Sequence, residues 1–108
     1  MQVDILYFEG CPNSEAALDH VRQALALEGA VADVQMVEIR DTEDAIERRF
    51  LGSPTVQIEG EDAELEARRR IDYGFMCRTY RARDGSVAGA PPVNLIARAI
   101  RDRLAVQT

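Results

Sequence analysis

Cys11 and Cys77 are the two thiols of a 108-residue chain, and any nucleophilic or redox chemistry in it starts from them. Cys11 stands in the segment Glu9-Gly10-Cys11-Pro12-Asn13-Ser14, between an apolar run and a stretch of helical spacing. Proline suits the first helical position, where its missing N–H would have no helical partner, so Pro12 puts Cys11 at the N-cap. A thiol placed there faces the positive end of the helix dipole and free backbone N–H groups. Both favour thiolate, the form that attacks. The nearby carboxylate of Glu9 acts against this. The plainer reading of such a cysteine is a small buried residue at a turn. Its place ahead of Pro12 makes it the candidate nucleophile instead.

Cys77 is the candidate second thiol, able in chemical terms to resolve a mixed disulfide or sulfenic acid on Cys11, or to join it on a soft metal ion. If it opens a strand antiparallel to residues 55–59, it lies about 15 Å from the end of the sheet where Cys11 sits. A disulfide needs Cα atoms within ~7 Å. The expectation is therefore a buried strand cysteine, with oxidation products formed through Cys11 alone.

The elements that must position these residues follow from periodicity. Residues 3–8 form a near-continuous apolar run that suits a central strand covered on both faces. Ala17, Leu18, Val21, Ala24 and Leu25 recur at helical spacing, and Gly29 supplies the stop. Residues 31–39 read as a second strand, with Val34 and Met36 out of phase with Val37 and Ile39, through a bulge or because both faces are covered. Asp41 or Thr42 caps a second helix to about Leu51, with Ala45, Ile46 and Arg49 or Phe50 inward, and Gly52 closes it. Residues 55–59 alternate as a strand does, and Gly60 turns the chain. The acidic-then-basic stretch 61–70 reads as a solvated loop or short helix. Residues 77–83 predict a fourth strand and Asp84-Gly85 a turn. Pro91-Pro92 leads into a last helix with Val93, Ile96, Ala97, Ile100 and Leu104 inward.

The order βαβαββα, with Cys11-Pro12-Asn13-Ser14 after the first strand and Gly52-Ser53-Pro54-Thr55 before the third, resembles the thioredoxin-like superfamily. Within it the chain is most similar to small bacterial single-cysteine members, some of which carry selenocysteine at this position or mercury-lyase names. The resemblance implies an α/β fold, a three-layer sandwich around a four-stranded mixed sheet, as one domain over residues 1–108. It also implies that Cys11 is the nucleophile and that Pro54 follows a cis peptide bond opposite it. Pro12, Asn13, Ser53, Pro54 and Thr55 would then contact substrate. The chain departs from dithiol members at Ser14, which stands where they have a second cysteine, so a disulfide cannot close within the motif. It also lacks the basic residue that glutathione-using members have before the cysteine, and Glu9 would repel that anionic peptide.

Composition narrows the classes further. Apolar residues make up 46% and charged residues 30% of the chain, the balance of a globular protein. The net charge of -6 argues against a nucleic-acid groove. All 13 basic residues are arginine, so lysine-based covalent chemistry is excluded. The start of the chain lacks the pattern of a signal peptide, and no apolar run reaches membrane-spanning length. A cytoplasmic protein with reduced cysteines, no membrane partner and no cofactor is expected. His20 lies about 13 Å along the first helix from Cys11 and reads as a surface residue. Arg68, Arg69, Arg70, Arg78, Arg81 and Arg83 read as a solvated basic face, and Tyr73 and Phe75 as core. The expected function is a thiol-based redox protein acting on a protein or small-molecule thiol or disulfide. The alternatives are capture of a soft metal such as mercury and a non-catalytic adaptor.

Overall fold

The computed structural model describes residues 1–106, so the last two residues of the domain expected over 1–108 lie outside the described residues. The first strand, β1 (Gln2–Tyr7), is central. Val3 and Ile5 point to one face of the sheet and Leu6 to the other, and none is more than 1% exposed. Helix α1 (Ser14–Glu28) follows and ends on Gly29 in the left-handed conformation, as the sequence predicted. Strand β2 (Asp33–Glu38) runs parallel to β1. Its Val34 packs on one side and Val37 on the other, which accounts for the out-of-phase pattern.

Helix α2 (Thr42–Glu47) is capped by the Asp41 carboxylate, which accepts from the Asp44 N–H at 2.8 Å. It is shorter than predicted. Arg49 turns into the left-handed region (φ 57°), Ile46 stays exposed, and Ala45, Phe50 and Leu51 carry the burial. Strand β3 (Thr55–Ile58) is antiparallel to β1 and buried throughout. The fourth strand of the sheet, β4, is Glu61–Asp62, giving the order β2-β1-β3-β4. The prediction of a fourth strand over 77–83 is thus corrected. A tight turn after Ile58 returns the chain onto β3 at once, and β5 (Tyr80–Arg81) pairs instead with β6 (Val87–Ala88) in a separate hairpin. Between β4 and β5 lies one 3-10 turn, Leu65–Ala67, where a loop or short helix was expected.

Helix α3 (Val93–Val106) buries Ile96, Ala97 and Ile100. With α1 it covers the Val3, Ile5, Val56 and Ile58 face, while Ala45 and Phe50 close over Leu6 and Ile39 on the other. The described residues therefore form a mixed α/β fold of one four-stranded mixed sheet and three α-helices. Among them no helix is long and apolar enough to cross a membrane.

Candidate functional site

The site is built where β1, the segment before β3 and the segment before β5 end together. Cys11 is half-buried and free, in the turn between β1 and α1. Its N–H donates to the Phe8 carbonyl at 3.2 Å, closing a four-residue turn through Glu9 and Gly10. Gly10 takes a φ of 87° that suits glycine, and open space surrounds it. The helix begins later than expected. Asn13, not Cys11, is its N-cap, Ser14 is its first residue, and Pro12 lies in an exposed turn. The Asn13 side chain makes no capping bond. It abuts Gly89 so closely that a Cβ there would fall 2.3 Å from its amide nitrogen. The Ser14 hydroxyl donates to the Cys11 carbonyl at 3.3 Å and so fixes the backbone of the turn.

Ser53, Pro54 and Thr55 arrive from the other side, with the Ser53–Pro54 peptide bond cis. All three are buried. The Ser53 hydroxyl accepts from the Phe8 N–H at 3.3 Å, and Thr55 donates from its hydroxyl to the Gly52 carbonyl at 2.6 Å. Cys77 joins them rather than standing at the far end of β3. It pairs in parallel with Ser53, whose N–H donates to the Met76 carbonyl at 2.9 Å and whose carbonyl accepts the Arg78 N–H at 3.0 Å. Cys77 is exposed, not buried. The estimate of about 15 Å assumed that residues 77–83 followed β3 as a hairpin; Glu61–Asp62 takes that place and frees Cys77 for the opposite end.

Gly52 makes this approach possible. A Cβ on it would lie 3.0 Å from both the Met76 carbonyl and the Arg78 Cβ, and its φ of 127° is one that other residues rarely adopt.

Behind the site lies a charge network that sequence reasoning placed on a solvated face. Arg78 is only 4% exposed. Its guanidinium donates to both carboxylate oxygens of Asp62 (2.7 and 3.0 Å), to Glu64 (3.0 Å) and to the Thr55 hydroxyl (3.0 Å). It stacks 4.7 Å from the ring centre of Tyr80, whose hydroxyl donates to the Pro54 carbonyl. Its Nε has no hydrogen-bond partner among the described residues. Burial disfavours the Arg78 charge, but the Asp62 and Glu64 contacts outweigh it and hold the guanidinium firmly protonated. Burial pushes the Tyr80 hydroxyl well above its ordinary range, so it remains a donor. The signal for this network was present: an acidic segment at 61–66 facing a lone arginine between Cys77 and Thr79.

Phe8, Phe50 and Phe75 form an aromatic cluster with ring centres 6.0–6.5 Å apart. Phe8 and Phe75, with Glu9, Glu38, Ile39 and Arg40, line an open groove of about 400 Å³ beside the Cys11 turn. Tyr73 is half-buried and Phe75 is 44% exposed, so neither is core as expected. His20 lies away from the site, its Nδ1 2.8 Å from the Pro91 carbonyl, which ties α1 to the segment before α3. Among the described residues, no group of three or more His, Cys, Asp or Glu side chains is arranged to hold a metal ion. Comparison with family models, with curated proteins and with solved structures finds no match for this chain.

Proposed function

We propose that this chain is a thiol-based redox protein of thioredoxin-like type, in which Cys11 is the nucleophile toward a disulfide. The observation that carries the reading is the free, half-exposed Cys11 in the turn ahead of α1, with the Ser53–Pro54 segment at the same end of the sheet. The sheet order β2-β1-β3-β4, with helices on both faces, is consistent with it. The Cys11 thiolate attacks one sulfur of a disulfide, a new S–S bond forms, and the other sulfur leaves as thiolate. The groove between Phe8, Ile39 and Phe75 supports an apolar group on the substrate, with Glu9 and Glu38 set against Arg40 in its lining.

The test is catalysis of protein-disulfide reduction by an external monothiol. The wild-type chain is expected to raise the rate above that of the thiol alone, and Cys11→Ser to abolish the gain. Equal rates for wild type and Cys11→Ser would refute the proposal.

A further inference from the structure

The backbone N–H and C=O of Ser53, which would be the docking groups for an extended substrate beside Cys11, are already used. Both pair with the chain's own residues 76 and 78, so Cys77 occupies that edge in cis. The arrangement is built rather than incidental. Gly52 lacks the Cβ that would strike Met76 and Arg78, the Gly74 N–H donates to the Phe50 carbonyl at 3.1 Å, and the Arg78 guanidinium locks the following residue onto Asp62 and Thr55. Three contacts connect the backbones of the two cysteines. Cys77 lies one strand spacing, about 4.8 Å, from Ser53. The Ser53 hydroxyl then holds the Phe8 N–H, and the Phe8 carbonyl holds the Cys11 N–H. On one side of the remaining gap, the Cys11 turn stands in open space at Gly10; on the other, Cys77 is exposed.

We propose that Cys77 is the resolving thiol of Cys11, held in place of the second cysteine that Ser14 replaces. This inference rests on the redox reading above. After Cys11 has attacked a disulfide R–S–S–R and released one RS⁻, the Cys77 thiolate attacks the Cys11 sulfur of the mixed disulfide. A Cys11–Cys77 bond forms and the second RS⁻ leaves, so the substrate gains two electrons and the two protein thiols lose them. Closing the bridge brings the two Cα atoms to the ~5.5 Å of an ordinary disulfide. Because Cys77 is tethered at the edge, its effective concentration is on the order of millimolar, well above that of a probe supplied at micromolar levels.

The experiment treats the reduced full chain with one equivalent of dithiodipyridine, a neutral aromatic disulfide, and follows thiopyridone release with mass spectrometry of peptides. In the wild type, two thiopyridones leave per chain, the second at a rate independent of probe concentration, and a linked Cys11–Cys77 peptide appears. In Cys77→Ser, release stops after the first and a stable adduct stays on Cys11. Gly52→Ala, which displaces residues 76–78, slows the second release more than the first. A stable Cys11 adduct in the wild type, or separate adducts on both cysteines without a linked peptide, would overturn the resolving role while leaving Cys11 as nucleophile. Absence of any Cys11 adduct in Cys77→Ser would overturn both readings.

Discussion

Replacing Arg78 with methionine removes the cation paired with the Asp62 carboxylate, whose side chain is 8% exposed. Four hydrogen bonds are lost, two to Asp62 and one each to Glu64 and Thr55. The Glu64 side chain is 23% exposed and turns to solvent at little cost. Asp62 cannot do so as readily, and a buried charge left without its partner costs about 3–5 kcal/mol. Against a domain stability of about 5–15 kcal/mol this is a large fraction. With a urea slope of about 2 kcal/mol/M, the unfolding midpoint falls by about 2 M. Arg78→Met combined with Asp62→Leu removes both charges and recovers at least half of that loss, because an apolar pair of similar volume is close to neutral in such a place. Arg78→Lys keeps the charge without the planar fork and falls between the two. Urea unfolding followed by circular dichroism reads all three. A cost below about 1 kcal/mol for Arg78→Met, or no recovery in the double variant, would refute the view that this network holds the Pro54 segment.

Phe50→Ala empties a fully buried site between Phe8 and Phe75 and costs about 3–5 kcal/mol, measured by the same unfolding curves; a loss under 1 kcal/mol would mean that the aromatic cluster does not support the site. Gly89→Ala drives a methyl group into the amide end of the half-exposed Asn13 side chain, which makes no capping bond and can swing aside, so it costs no more than about 1 kcal/mol; a loss above about 2 kcal/mol would contradict that freedom. Glu9→Gln raises the rate of Cys11 with oxidised glutathione, an anionic disulfide, more than with neutral dithiodipyridine. Equal changes for the two disulfides would remove the electrostatic role given to Glu9.

The parts of the fold written in local chemistry were legible in the sequence. Alternation and helical spacing located the first three strands and three helices, Asp41 and Gly29 marked two of their ends, and the phase change between Val34 and Val37 left a bulge or two covered faces open, which the packing resolves as the second. What failed was long-range. Nothing local distinguishes residues 77–83 as a sheet strand from the same residues paired with β6, because the choice is made by Glu61–Asp62 folding back onto β3. That one difference moved Cys77 from the far end of the sheet to Ser53. It also turned Arg78 from a surface charge into the centre of the network, since a cation two residues before Tyr80 is read as solvated until its carboxylate partners are seen in space. The start of α1 was misplaced by two residues for a local reason: Pro12 suits the first position of a turn as well as that of a helix.

The most direct test of Cys11 as nucleophile is its rate constant with dithiodipyridine in the Cys77→Ser chain, folded and in denaturing urea at one pH. The unfolded chain supplies the reactivity of the same thiol without its surroundings. If the turn ahead of α1 activates it, the folded rate exceeds the unfolded one by about tenfold or more, the effect of about 1.4 kcal/mol of transition-state stabilisation. A folded rate equal to or below the unfolded rate would contradict the assignment of Cys11 as an activated thiol.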